Sequence, residues 1–337
     1  FRVLDPLALE KFKTSMVREL IEKKVLHQWR LLGKYFIVAI DGTGVNSYTE
    51  RHCDKCLTKT SKNGKQTWFH NVLEAKLVLP NGLSLSLATE WIENDNLEYD
   101  KQDSELKAFN RLSVKLKKSF PRLPICIVGD GLYPNKTVFG ICEKNKWEYT
   151  ITLKDGNLPF VWGEAESLIL LQKENKLEVT TIKKKQENLI VHRWVTEINY
   201  KGHSLNWIKT EVGNKKYVFV TSLKLNKKNA EQISFSGRLR WKIENEGFNE
   251  QKNNGYELKH KYSEVSLGAT KNYYQALQIA AMINQLVVLG QKLKQYLKKK
   301  ITIKHLWTEL LAFLKYRSVD GDYIKQLLDT RIQIRLE

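Results

Sequence analysis

Two short apolar runs, each leading to an aspartate beside glycine, constrain the fold of this chain more than any other feature. The first covers 35–40 and leads into Asp41 and Gly42, and the second covers 123–128 and leads into Gly129-Asp130-Gly131. Both runs are continuous and rich in β-branched residues, which is typical of strands buried on both faces of a sheet. We therefore expect an α/β protein in which two central strands each end in a turn that carries a carboxylate.

The hydrophobic pattern elsewhere predicts the elements around these two strands. Two alternating runs, 70–79 and 83–89, predict a β-hairpin because Pro80-Asn81-Gly82 between them is a strong turn sequence. Another strand is predicted over 147–153, and the short alternating runs within 157–235 predict an all-β segment. Apolar residues at helical spacing predict helices over 5–32, 103–118, 135–146, 239–248 and 276–289.

The charge balance predicts a polyanionic partner. There are 56 Lys and Arg residues against 37 Asp and Glu, giving a net charge of +19, and a chain this basic attracts DNA or RNA. A lysine-rich surface with no such partner is the alternative. Hydrophobic residues make up 42%, enough for a core, and no apolar stretch is long enough to span a membrane. Four cysteines are too few for a disulfide scaffold, so we expect a reducing compartment.

Three carboxylates form the set that best fits a chemical role. Asp41 and Asp130 follow the two buried strands, and Glu244 lies in a predicted helix beside Arg240 and Trp241. Mg²⁺ prefers carboxylate oxygens, and two such ions can activate water or a 3′-hydroxyl for attack on a phosphodiester. A single Asp-Gly pair after a strand is more often a simple turn. Two matching pairs favour a metal site, whereas Trp241 is expected to pack in the core.

The order of these elements resembles that of the DDE transposases of bacterial insertion sequences, which have an RNase H-like catalytic core. The resemblance is to the cut-and-paste branch with a β-rich insertion before the glutamate, and it covers roughly residues 33–290. Four motifs carry it: Ala39-Ile-Asp41-Gly-Thr-Gly44, Lys101-Gln-Asp-Ser-Glu-Leu-Lys-Ala-Phe109, Val128-Gly-Asp130-Gly-Leu-Tyr133 and Arg240-Trp-Lys-Ile-Glu244-Asn-Glu-Gly-Phe248.

The resemblance implies an α/β fold with an RNase H-like mixed sheet flanked by helices. Residues 33–156 and 236–290 would form the two parts of this core, separated by an inserted all-β subdomain over 157–235. Residues 1–32 would be a helical N-terminal segment, and 291–337 a basic helical C-terminal segment.

The resemblance also implies a reaction. Asp41, Asp130 and Glu244 would hold Mg²⁺, for which Mn²⁺ could substitute. Hydrolytic nicking at a transposon end would be followed by attack of the freed 3′-hydroxyl on target DNA, with or without a hairpin intermediate. The partner would be double-stranded DNA, bound by a homodimer in the bacterial cytoplasm at the nucleoid. A separate end-recognition domain could precede Phe1, or the first 30 residues could be its remnant.

The glutamate helix of this family often carries a Tyr, Arg, Glu, Lys signature, which this chain keeps only in part. Arg240 has the family's spacing to Glu244, so it would contact a phosphate at a DNA end. The tyrosine position falls on Gly237, and Lys252 lies one residue further along than the pattern expects. Lys252 is still a candidate DNA contact, and Glu246 is a rival for the third acid.

Three smaller features each have a functional and a structural interpretation. Trp194 lies in the predicted insertion, where an aromatic residue of the resembling family can stack on a flipped base; core packing is the alternative. The run Lys298-Lys299-Lys300 fits either phosphate contacts or a solvated surface. Cys53 and Cys56 form a C-x-x-C pair that could bind zinc together with His70, and ordinary thiols are the alternative.

The leading prediction is therefore a Mg²⁺-dependent DNA transposase, and three alternatives stay open. A nuclease with the same core would cut DNA without joining it. A domesticated or inactive transposase would only bind DNA, and a zinc-dependent binding module would use the C-x-x-C pair.

Overall fold

The computed structural model describes residues 1–94, 101–183, 186–291, 302–318, 320–329 and 334–336. The predicted phosphate contacts Lys298, Lys299 and Lys300 lie outside these residues. The fold is mixed α/β, with a large mixed sheet flanked by helices. None of the helices in the described ranges is long and apolar enough to cross a membrane.

Ten strands form the sheet in the described part of the chain. They are β1 (Phe36–Tyr48), β2 (Leu57–Thr60), β3 (Gln66–Val78), β4 (Ser84–Ile92), β5 (Ile125–Gly129), β6 (Glu148–Thr152), β7 (Lys176–Lys183), β8 (Gln186–Tyr200), β9 (His203–Val212) and β10 (Lys215–Thr221).

The helices surround this sheet. They are α1 (Pro6–Glu22), α2 (Glu105–Ser119), α3 (Lys136–Asn145), α4 (Pro159–Leu171), α5 (Ala230–Arg238), α6 (Glu250–Asn253), α7 (Leu267–Leu289), α8 (Ile303–Tyr316) and α9 (Gly321–Asp329). A short 3₁₀ helix covers His27–Trp29, and a π-helix, here called the π segment, covers Ile243–Asn249.

The strands follow the order β2-β3-β1-β5-β6-β10-β9-β8-β7, and β4 pairs with β3. The three central strands β1, β5 and β6 are parallel, whereas β3 and β10 run antiparallel to the strands beside them. Because β10 pairs with β6, strands β7 to β10 continue the same sheet.

Both predicted central strands are present and pair with each other in parallel. The register runs from Phe36 opposite Ile125 to Ala39 opposite Val128. Side chains alternate between the two faces of the sheet, so Val38 belongs to the core that contains α2, while Ala39 belongs to the core under α5 and the π segment. Burial on both faces explains why these strands read as continuous apolar runs.

The predicted hairpin and three predicted helices are also confirmed. Strands β3 and β4 pair on either side of the turn at 80–82, where the Gly82 amide donates to the Leu79 carbonyl. Helix α2 begins after the N-cap Ser104, buries one face and ends before Pro121, and α3 begins after the N-cap Asn135. Helix α7 covers 276–289 and starts nine residues earlier, at Leu267.

Three sequence predictions are wrong in detail. Strand β1 does not end in a turn at 41–44, because pairing with β3 continues it to Tyr48 through a bulge between Gly44 and Asn46. The region 157–235 is not all β: Val161 and Ala165 are buried one helical turn apart in α4. The N-terminal helix ends at Glu22 rather than continuing to 32.

Helix α7 holds the π segment through the amide side chains of the buried Gln278 and the partly buried Gln285. Gln285 donates to the carbonyl of Glu246 at 3.0 Å and accepts from the Ser84 amide at 2.8 Å. Gln278 exchanges hydrogen bonds of 3.0 Å with Gln251, which follows the π segment. Buried polar groups need such partners, so these bonds fix the segment against both the helix and the sheet.

The fold prediction concerns the central strand β5. Ile127 is fully buried in the core, so Ile127→Ala leaves a cavity and should lower the free energy of unfolding by about 2–5 kcal/mol. Urea denaturation measures the change. Val114 on α2 is 66% exposed, so Val114→Ala is the matched control and should change stability by less than about 0.5 kcal/mol. Equal effects of the two substitutions would contradict the central position of β5.

Candidate active site

Asp41, on β1, and Asp130, directly after β5, both lie just beyond the last parallel pair of these neighbouring strands. Ala39 opposite Val128 is that last pair, and β5 ends at Gly129. The carboxyl ends of parallel strands are the usual place for ligand-binding groups in such sheets. Both aspartates therefore open into one cleft of about 350 Å³. Its lining residues are Asp41, Gly42, Asp130, Arg240, Trp241, Glu244, Phe248, Asn249 and Lys252.

Arg240 lies between Asp41 and Glu244. One guanidinium nitrogen is 3.5 Å from Asp41 Oδ2, and the other is 3.4 Å from Glu244 Oε2. Arg240 is buried and Asp41 is mostly buried, so water screens this pair less than the pair with Glu244, whose side chain is 41% exposed. The four-residue spacing predicted from the sequence thus joins Arg240 to Glu244 within one turn, and Arg240 reaches across to β1.

Asp130 has separate partners. Its Oδ1 accepts from the Leu132 amide at 2.8 Å, and Lys154 Nζ lies 3.2 Å from its Oδ2. Lys154 follows β6, the next strand of the sheet, and sequence reasoning missed it because no local pattern joins it to Asp130.

Glu105, at the start of α2, is a fourth carboxylate that sequence reasoning missed. Successive strand residues point to opposite faces, so the open side of Gly42 faces away from Asp41 and toward α2. A side chain at Gly42 would collide with the Glu105 carboxylate. Tyr133 Oη donates to Glu105 Oε2 at 3.2 Å. The sequence features behind this contact are the glycine after Asp41 and the glutamate in the first turn of α2. They are 63 positions apart, so no local pattern joins them.

Burial raises the pKa values of two acids of the site, Asp41 and Glu105. Burial, opposed by Arg240 and reinforced by the charges of Glu105 and Asp130, raises the pKa of Asp41 to about 6. Burial also raises the pKa of Glu105, while the hydrogen bond from Tyr133 acts in the opposite direction. A raised pKa means that the charged form of the carboxylate is disfavoured, and a nearby cation would stabilise that form.

The two candidates for the third acid occupy different places. Glu244 lines the cleft and contacts Arg240, whereas Glu246 pairs with Lys242 and lies on the side of the turn at Gly82. The side chain of Gln285 on α7 also donates to the main-chain carbonyl of Glu246, which holds that residue on the side of α7. Glu244 is therefore the glutamate that shares the cleft with Asp41.

The remaining predicted contacts fall into two groups. Lys252 lines the cleft, where burial and then the neighbouring charge of Lys259 lower its pKa. Trp194 is a buried residue of β8, so it has no face free for stacking. It packs in the core, as the structural alternative expects. The expectation that Trp241 packs in the core is wrong, since it is 52% exposed and stacks on the Arg240 guanidinium at 4.2 Å.

The acids surround the cleft without closing on one point. Among the described residues, the only group of three His, Cys, Asp or Glu side chains whose ligand atoms all lie within 4.8 Å of one another is Cys53, Cys56 and His70. Asp41, Asp130 and Glu244 line the cleft but do not form such a group, so their carboxylate oxygens are not all within 4.8 Å of one another. Their hard oxygen donors fit Mg²⁺ or Mn²⁺.

No protein-family model matches the chain, and no curated protein matches it in sequence.

The raised pKa of Asp41 predicts a pH-dependent cost to stability. The pKa is 3.8 ordinarily and about 6 in the fold, so the folded state binds the proton more tightly. No penalty exists below pH 3.8; it appears as pH rises toward 6 and is complete above. Asp41→Asn should therefore raise the free energy of unfolding by about 1–3 kcal/mol at pH 8.

The same substitution should have little effect near pH 4, where Asp41 is protonated in the folded protein. Urea denaturation of both proteins at pH 4 and pH 8 measures the difference. Asp5, an exposed N-cap outside the cleft, supplies the control Asp5→Asn, whose small effect should not grow with pH in this way. A loss of stability in Asp41→Asn at pH 8 would contradict the electrostatic description.

Proposed function

We propose that this protein is a DDE transposase that nicks transposon ends and joins the freed 3′-hydroxyl to target DNA. The observation that carries the proposal is the shared cleft of Asp41, Asp130 and Glu244 at the carboxyl ends of two parallel strands. These are the three acids on which the resemblance rests, and they come from three distant parts of the sequence.

The order of elements supports the same proposal. The strand carrying Asp41 is followed by the β3–β4 hairpin and α2, then by β5 with Asp130, α3 and β6. Four further strands, β7 to β10, precede the helical region that carries Glu244. This succession agrees with an RNase H-like core that is interrupted by a β-rich insertion before the glutamate.

The donor set of the cleft supports a metal-dependent reaction on phosphodiesters. Bound Mg²⁺ would supply Lewis acidity to the scissile phosphate and would stabilise the leaving oxygen. Asp41, Asp130 and Glu244 would hold it, and Arg240 would turn from the carboxylates toward a phosphate of the DNA end, where its planar fork fits two oxygens. Lys154 and Lys252 would then help to offset the negative charge of the backbone.

The net charge of +19 and the exposed face of Trp241 fit nucleic acid better than a small substrate. Aromatic faces stack on bases whatever their identity, and a basic surface binds the phosphate backbone. In this proposal Trp241, and not Trp194, is the aromatic residue that meets DNA beside the acids.

The decisive experiment uses labelled duplex DNA carrying the terminal sequences of the element that encodes this chain. With Mg²⁺ or Mn²⁺, the protein should nick one strand at the end and then form joined products, and Asp130→Ala should reduce both by at least about 10³-fold. Glu244→Gln should act like Asp130→Ala, whereas its neighbour Glu246→Gln is the matched control and should keep most activity.

Three other outcomes would contradict the proposal. Nicking without joining favours the nuclease alternative. Binding without cleavage by the unmodified protein favours an inactive, DNA-binding descendant. Loss of activity in Glu246→Gln but not in Glu244→Gln would show that the third acid is Glu246, which does not line the cleft.

A separate prediction concerns Glu105, whose charge acts on Asp41. Glu105→Gln keeps the size of the side chain beside Gly42 and the contact with Tyr133, but it removes a negative charge from the site. We expect the Mg²⁺ concentration for half-maximal cleavage to rise by about 10-fold or more, as for other groups that support metal ligands. An unchanged Mg²⁺ dependence with reduced thermal stability would show that Glu105 only fills space.

A further inference from the structure

Two cysteines and a histidine converge on one point away from the cleft. Cys53 and Cys56 lie in the loop between β1 and β2, and His70 lies on β3. The two sulfurs are 3.6 Å apart, and His70 Nε2 is 3.5 Å from each of them. His70 pairs across the sheet with Asn46, which is roughly 15 Å along β1 from Asp41.

These separations match the coordination sphere of one metal ion. A tetrahedral zinc with Zn–S bonds of ~2.3 Å and Zn–N bonds of ~2.0 Å keeps its ligand atoms about 3.5–3.8 Å apart. All three observed distances lie within that range. Thiolate and imidazole donors also select zinc over Mg²⁺, which prefers oxygen ligands.

The donor atoms of this cluster face one another. His70 Nε2 lies 3.5 Å from both sulfurs, so a lone pair on that nitrogen would point into the space between them. Cys56 and His70 are buried and Cys53 is partly buried, so the site is largely shielded from water. Both cysteines would bind a metal ion as thiolates, since a coordinating thiol is deprotonated.

A disulfide accounts for the geometry less well. It would use the two sulfurs and leave His70, which is fully buried, without a partner for Nε2. The nearly equal distances from His70 to the two sulfurs are those of three ligands around a centre. Cys126 and Cys142, the other two cysteines, are buried in the core and have no such arrangement.

We propose that Cys53, Cys56 and His70 bind a structural zinc ion that fastens the β1–β2 loop to β3. The loop is already held by Asn94, whose amide donates to the Cys56 carbonyl at 2.8 Å. His52 precedes Cys53, and its ring stacks on Tyr48, so it is a second imidazole beside the cluster and a candidate fourth ligand. The fourth position belongs to His52 or to water. The inference is independent of the proposed function, because the site is separate from the cleft.

The test measures metal in the full chain, purified under reducing conditions without DNA. We expect about one zinc per chain in the unmodified protein and less than a tenth of that in Cys56→Ser and His70→Ala. Cys142→Ala is the matched control, because it removes an equally buried cysteine and should keep the zinc. Circular dichroism confirms that each variant is folded.

A second measurement covers variants that fail to fold. Zinc in the unmodified protein is exchanged for Co²⁺, whose tetrahedral thiolate site gives visible bands and a sulfur-to-metal charge-transfer band. The half-exposed Cys53 makes Cys53→Ser the mildest variant, and it should weaken the charge-transfer band. A change of the visible bands in His52→Ala assigns the fourth ligand to His52, and unchanged bands assign it to water; both results support the metal site.

Three results would overturn the zinc site. The first is an unmodified protein that contains no zinc and whose melting temperature does not respond to a chelator. The second is a Cys53–Cys56 disulfide, detected by mass spectrometry in protein that was purified under reducing conditions. The third is equal zinc content in Cys56→Ser and Cys142→Ala.

Discussion

The parallel pairing of β1 with β5 is the constraint on which the site depends. Only four residue pairs form it, from Phe36–Ile125 to Ala39–Val128, and all are buried. Because both strands stop pairing at the same level, the next polar residue on each one enters the same cleft. A shift of one residue in this register would turn Asp41 to the opposite face of the sheet and separate it from Glu244. The cores on both faces of the sheet therefore also determine where the acids lie.

The cleft gathers negative charge at a cost to the fold. Burial raises the pKa of Asp41, and the charges of Glu105 and Asp130 add to that effect, while Arg240 opposes it without cancelling it. Elsewhere, buried charge is compensated: Glu74 lies opposite Asp41 on β3 and accepts hydrogen bonds from Ser86 and Thr89, which also accept from the buried Lys13. A carboxylate whose pKa stays raised in the cleft, next to a compensated one on the neighbouring strand, is the pattern expected of a functional site.

The sequence predicts the features that local patterns encode, and it misses contacts between residues that are far apart in the chain. The apolar runs, the Asn-Gly turn and the capped helices are encoded within short windows, so the central strands, the β3–β4 hairpin and α2 could be found. The extension of β1 past Asp41 could not, because pairing with β3 overrides the turn preference of its glycines. Glu105 and Lys154 reach the acids from other elements, and no spacing in the sequence joins them to their partners.

The two halves of β1 connect the proposed zinc loop with the acidic cleft. Up to Ala39, β1 has neighbours on both sides, but from Asp41 onward β3 is its only strand partner among the described residues. This edge of β1 borders the cleft, and a strand with a partner on one side only has fewer hydrogen bonds to hold it, so its motion is less restricted than that of a central strand. Fixing the far end of β1 through the Cys53–Cys56 loop and His70 would limit that motion without covering the edge. A zinc site at this place would thus preserve the alignment of Asp41 with Asp130 while leaving the cleft accessible.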